Sequence, residues 1–169
     1  MSIPADGDFT DRVQAEWQRA YPQVDTGPIA VLGRITRIGS QALQQLEHAL
    51  AHSDVTRAEF EVLCVLARHE RPLRTSEVTA ATLLSNAAIT KQVDRLAARG
   101  LVERQRFERD GRVVLIELTD DGRAVVDREF PLRLERDRRV LEGLDQTELD
   151  TLADLLRKLS LNMDAGSHR

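Results

Sequence analysis

Aromatic side chains are scarce in this chain: 4% of 169 residues, with one tryptophan, Trp17, and one tyrosine, Tyr21. Its core must therefore be built from Leu, Val, Ile and Ala. Cysteine is scarcer still. Cys64 stands alone, which excludes an internal disulfide and fits a reducing cytoplasm. No apolar run approaches the roughly 18 residues of a membrane helix, so no membrane segment is expected. The opening MSIPADGDFTDR has no basic region followed by an apolar one, so no signal peptide is expected. His48 and His52 stand four apart, yet no cysteine or clustered carboxylate completes a zinc set, and neither metal nor cofactor is expected. A Gly-rich phosphate loop and a nucleophile elbow are also missing, which leaves an enzyme without support.

Positive charge is in deficit too, with a net charge of −4. Its distribution matters more than its sum. From Leu84 to Arg112 the chain carries +3, and the remainder sums to −7. A basic stretch on an acidic body binds phosphates locally and discourages sticking elsewhere.

That stretch organises the chain. Ser85 is an N-cap residue, and a helix is expected from Asn86 to about Ala98. Ile89, Val93 and Leu96 form its buried stripe, which leaves Ala87, Thr90, Lys91 and Asp94 turned away. Arg99-Gly100 closes it, with Gly for a left-handed exit. Two strand-like runs follow, Leu101–Phe107 and Val113–Leu118. Between them, Asp110-Gly111 is a hairpin signal, and Arg109 and Arg112 sit at the tip. Such a helix suits a major groove, and an arginine-bearing tip suits an adjacent minor groove.

The other helices follow from periodicity and caps. A first helix is expected from Asp8 to about Ala20, with Phe9, Val13 and Trp17 on one face. Trp17 reads as a packing anchor or as the wall of a ligand pocket. A long helix runs from Ile29 to about Ala51 on a stripe of Leu32, Ile35, Ile38, Ala42, Leu43, Leu46 and Leu50. Arg34 and Arg37 lie off that stripe, solvated or facing an anionic effector. Thr56 and Glu59 make a capping box for a helix to His69. Cys64 within it reads as an inert core residue, with redox sensing the sharper alternative. Residues 71–74 read as a loop, and Thr75 caps a short helix to about Thr82. Thr119 caps a helix from Asp120 that Pro131 interrupts or kinks, and it resumes over Leu132–Leu141. Asp145 and Glu148 cap a last helix with a stripe of Leu149, Leu152, Leu155, Leu156 and Leu159, which needs a partner. Both chain ends, residues 1–5 and 165–169, read as loose.

The residues Thr90, Val93-Asp94-Arg95-Leu96, Gly100-Leu101-Val102, Arg104, Asp110, Arg112, Leu118-Thr119 and Gly122 resemble the winged-helix core of the multiple antibiotic resistance regulator (MarR) family. The resemblance implies a mainly α fold with a small β-wing. It also implies one domain of this type over about 28–162. Residues 1–50 would hold the extra helix and the long dimerisation helix, 51–120 the winged helix-turn-helix lobe, and 121–169 the C-terminal dimerisation helices. It implies a DNA-binding repressor, acting as a homodimer on a pseudo-palindrome. Thr75, Ser85, Asn86, Ala87, Thr90, Lys91, Arg109, Asp110 and Arg112 are its expected DNA-contacting set. Arg112 matches the arginine that enters the minor groove, and Asp110 the acid that orients it. The family more often has a second arginine where this chain has Gly111. Asp94, Arg95 and Arg104 read better as an ion-pair brace than as DNA contacts. The leucine-rich last helix would pair with the N-terminal helices of a second subunit.

The family resemblance also implies a small-molecule effector between the dimer region and the lobe. The extra N-terminal helix with a tryptophan resembles the urate-responsive branch, whose acid falls at Glu61. Of that branch's arginines, one falls at Arg104 and another at Gln92. Only Trp17 and Arg104 match outright, so the expected ligand is an unidentified lipophilic or aromatic anion. The competing reading, of another class, is a ligand-blind winged-helix module for protein interaction. An interaction module would be indifferent to loss of Arg112, whereas a regulator would not.

Overall fold

Among the residues described by the computed structural model (7–69, 71–82, 84–106 and 114–166), seven α-helices and three short strands form. Two compact units divide the chain, Met1–Phe130 and Pro131–Arg169. Mainly helical content with a small antiparallel sheet matches the expected class.

In the first unit, α1 (Phe9–Ala20) is opened by a capping box in which Asp8 and Asp11 exchange backbone N–H bonds at 2.9 and 3.0 Å. A π-helical turn, Ile29–Gly33, leads into α2 (Arg34–Leu50). Gly33 lets α1 lie close on this turn, since an added Cβ there would come within 3.0 Å of the Thr10 methyl. The buried face of α1 is Thr10, Gln14 and Ala15, whereas Phe9 and Trp17 stay about half exposed. On α2 only Leu46 and Leu50 are buried, and Leu32, Ile38 and Leu43 of the expected stripe are exposed. Amphipathic spacing identifies an apolar face but not what covers it.

Downstream, α3 (Arg57–His69), α4 (Thr75–Ala80) and α5 (Asn86–Ala98) pack around Phe60, Leu63, Leu66, Leu73, Val78, Ile89, Val93, Leu96 and Ile116. The expected stripe of α5 is thus the buried one. Cys64 is half-buried against this core. The expected capping box of α3 forms, with Thr56 N–H donating to Glu59 at 2.8 Å and Glu59 N–H to the Thr56 hydroxyl at 3.3 Å.

The expected loop at residues 71–74 contains a strand. Leu73–Arg74 (β1) pairs antiparallel with Val114–Leu118 (β3), which pairs antiparallel with Val102–Arg106 (β2), in the order β1-β3-β2. Leu73 lies opposite Ile116 and both are buried, so packing fixes the register. Thr75 is the first residue of α4 and not its cap. The orphan N–H of Arg74 donates to Glu77 at 2.8 Å instead.

At the base of the β2–β3 ribbon a clasp forms. Gly100, at φ +70°, ends α5. The Thr119 hydroxyl donates to the Gly100 carbonyl at 2.7 Å and accepts from Gly122 N–H at 3.1 Å. Thr119 N–H donates to the Leu101 carbonyl at 3.3 Å. Helix α6 (Asp120–Val140) then starts so close to Leu101 that a Cβ on Gly122 would sit 2.0 Å from its carbonyl oxygen.

Of the expected interruption or kink at Pro131, the interruption does not occur: α6 runs on through Pro131. A proline removes one backbone donor from a helix and need not end it. In the second unit, Gly143 takes φ +93° and α7 (Gln146–Gly166) follows. Its expected cap forms: Asp145 N–H donates to Glu148 and Glu148 N–H to Asp145, both at 2.9 Å. The helix includes Ala165, expected to be loose. No residue of α7 is buried, and Leu152, Leu155, Leu156, Leu161 and Met163 are exposed. Among the described residues no helix is long and apolar enough to cross a membrane.

Gly122→Ala is expected to destabilise the fold by about 3 kcal/mol, because the methyl meets backbone and not a movable side chain. Thermal unfolding checks this, and a melting temperature equal to wild type would show that the clasp relaxes freely.

Candidate nucleic-acid interface

Helix α5 is anchored on one side and bare on the other. Ile89, Val93 and Leu96 are buried, while Ser85, Asn86, Ala87, Thr90, Lys91, Asp94 and Arg95 are exposed. Helical spacing therefore gathers the expected α5 contact residues on one open face. The Ser85 hydroxyl accepts from Ala88 N–H at 3.3 Å, which leaves its own proton for a phosphate. The Thr90 hydroxyl donates to the Asn86 carbonyl at 3.0 Å, which leaves its oxygen and methyl outward. The Asn86 side chain offers a paired donor and acceptor at the first turn. Thr75, at the start of α4, is half-buried and its carbonyl accepts from the Thr79 hydroxyl at 3.0 Å. Arg109, Asp110 and Arg112 lie outside the described residues.

Three ion pairs link α5 or α4 to neighbouring segments. Arg104 on β2 pairs with Asp94 on α5. Arg99 at the end of α5 is 3.7 Å from Glu59, itself buried. Arg71 holds Glu77 at 2.6 Å, and that guanidinium, with the Arg74 N–H, keeps the Glu77 carboxyl below its ordinary range. The exposed Arg74 beside α4 was not singled out by sequence reasoning. A glutamate three residues on is the capping signal that places it.

Neither of two cavities beside α1 is lined by Trp17, Glu61 and Arg104 together. Trp17 stacks on Tyr21 with ring centres 5.4 Å apart. Both line a cavity of about 240 Å³ with Val24, Asp25, Thr26 and Ile29. Glu61 instead pairs with Arg57 at 2.6 Å, and Arg104 with Asp94. A larger cavity, about 610 Å³, lies against Phe9, Ile29, Leu32, Thr36 and Arg37. The Arg37 guanidinium sits 4.2 Å over the Phe9 ring, a cation–π contact. Arg34, expected to be solvated or to face an anionic effector, forks onto Asp8 at 3.0 Å and Asp11 at 2.7 Å. Among the described residues no group of three or more His, Cys, Asp or Glu is placed to hold a metal ion.

A family model described as MarR family matches residues 53–113. The HTH-type transcriptional regulator PecS of Dickeya dadantii is 28% identical over 158 residues, 92% of this chain and 95% of its own. The multiple antibiotic resistance protein MarR of Escherichia coli is 32% identical over 135 residues, 78% of this chain and 92% of its own. A mutant of that protein complexed with operator DNA superposes at TM-score 0.68 with 28% identity, covering 85% of this chain and 96% of the other. Bordetella bronchiseptica BpsR, whose DNA binding is regulated by 6-hydroxynicotinic acid, superposes at TM-score 0.68 with 31% identity, covering 77% and 92%.

The Arg104–Asp94 pair is largely exposed. A double-mutant cycle with Asp94→Asn and Arg104→Ala is therefore expected to return a coupling of about 0.2–1 kcal/mol in denaturant unfolding. A coupling beyond that range would mean the pair is more enclosed than it stands here.

Proposed function

Because the chain belongs to the MarR family, we propose that it is a ligand-responsive repressor that binds a pseudo-palindromic operator as a homodimer in the cytoplasm. The observation that carries this reading is the bare face of α5. Ser85, Asn86, Ala87, Thr90 and Lys91 stand exposed together on a helix whose opposite side is locked in the core. Asn86 and Thr90 read base edges in the major groove, while Ser85 and Lys91 hold phosphates and give position without sequence. Thr75, Arg109, Asp110 and Arg112 complete the contact set, with Arg112 in the minor groove. Two copies place two such helices in successive major grooves, about 10 base pairs apart.

The unburied leucines of α7 and the exposed stripe of α2 support the homodimer. Apolar faces of that extent need a cover, and an isologous interface supplies one from each copy. The effector shifts the population toward a helix spacing that no longer matches the operator. Of the two cavities, the one with Arg37 suits an aromatic anion better, since it joins apolar walls to a cation. Among the described residues, the charged one that lines the Trp17 cavity is Asp25.

Selection of duplexes from a random pool at two salt concentrations tests the reading. A pseudo-palindrome should emerge, bound with affinity that falls steeply as salt rises. On that operator, Arg112→Ala should cost about tenfold in affinity and lower the salt slope by about 1. Wild-type affinity for Arg112→Ala would remove the minor-groove role. A charge on α7, as in Leu155→Glu, should convert the dimer to monomer in analytical ultracentrifugation. A dimer that persists would move the interface elsewhere.

A further inference from the structure

A buried carboxylate stands outside the DNA-contacting face. Glu129 on α6 has a fully buried side chain. Its Oε1 takes three neighbours: the Ser53 hydroxyl donates at 2.5 Å, Arg128 Nε donates at 2.8 Å, and His52 Nε2 lies 3.4 Å away. Its Oε2 is buried with no hydrogen-bond partner among the described residues. Ser53 and His52 belong to the turn between α2 and α3, flanked by the buried anchors Leu50 and Val55. The next residue, Asp54, is the one non-glycine residue with positive φ among those described, at +54°.

We propose that Glu129 is a positioning residue for DNA binding: it latches the α2–α3 elbow, and the latch is poised to open. This rests on the regulatory reading above. Elbow geometry sets the angle at which the lobe, entered through α3, departs from α2. Helix α2 carries the exposed stripe that a second copy would cover, so this angle sets where α5 lies in the dimer. The closed latch is a strong contact, because a hydrogen bond to an ionised group exceeds a neutral one. Burial pushes the Glu129 carboxyl up, but the hydrogen bonds from Ser53 and Arg128 and the electrostatic influence of His52 and Arg128 outweigh it. The group therefore lies below the ordinary glutamate range and is ionised at neutral pH.

The same latch carries two local costs. A buried oxygen without a partner is destabilising, and so is a left-handed backbone at a residue with a side chain. Opening the elbow hydrates the Oε2 and frees Asp54. A joint that gains one set of interactions closed and another open is a two-state element. An effector that distinguishes the two angles acts through it without touching α5.

The test uses the full chain with Glu129→Gln, which removes the charge, and Ser53→Ala, which removes the donor. Amide hydrogen exchange on the free protein reads the elbow directly. Both variants should exchange about tenfold faster across residues 51–55, with α5 amides unchanged. On the selected operator both should bind about tenfold more weakly. The double variant should lose less than the product of the two single losses, since both act on the one cluster around the Glu129 Oε1. Unchanged elbow exchange, equal acceleration in α5, or faster elbow exchange with wild-type operator affinity would each overturn the proposal. Failure of the wild type to bind any selected duplex would refute the regulatory reading, while the exchange measurement still decides whether the latch exists.

Discussion

The close approach of Gly122 to the Leu101 carbonyl is the constraint on which the lobe depends. It lets α6 begin against the base of the ribbon. Thr119 uses one hydroxyl twice there, giving its proton to Gly100 and taking the N–H of Gly122. The end of α5, the start of β2, the end of β3 and the start of α6 thus meet at one point. Gly100, Leu101, Leu118, Thr119 and Gly122 carry much of the family resemblance. None of them needs to touch DNA. They hold the exposed face of α5 at a fixed angle to the ribbon, which a groove-reading device requires of its scaffold.

Much of this was legible where the physics is local. Ser85, Thr56 with Glu59, and Asp145 with Glu148 cap their helices as the spacing indicates, because a cap is decided within four residues. The stripe of Ile89, Val93 and Leu96 is buried for the same reason, the helix period being short. What could not be read depends on distant chain. Strand β1 has two residues, too few for alternation, and exists only because β3 offers an edge. Arg34 has no local mark of its partners, since Asp8 and Asp11 lie on another helix. Pro131 marks a break by its own chemistry, yet α6 continues through it. Glu129 sits between Arg128 and Phe130 in no motif, and only the fold brings Ser53 to it.

The division between what is covered and what is bare follows the division of labour. Residues that face the core of the first unit are aliphatic apart from Phe60, and few in kind. The buried carboxylates Glu59 and Glu129 take charged partners, Arg99 at the end of α5 and the adjacent Arg128. Burying a charge is destabilising unless it is paired, so each marks a joint whose geometry the chain specifies strongly. Bare leucines on α7 and bare isoleucines on α2 mark surfaces whose geometry awaits a second chain.

The scarcity of aromatics has a spectroscopic corollary. Trp17 is the sole indole, it is half exposed, and it stacks on the sole phenol, Tyr21. Light absorbed at the red edge of the indole band therefore excites one site on α1 and nothing in the DNA-reading lobe. The emission of the unlabelled protein is a local gauge of how α1 and the Val24–Ile29 connector are arranged. Occupancy of either cavity, both of which share Ile29, falls within its reach, whereas events at the wing or at α5 register only if they are transmitted to α1.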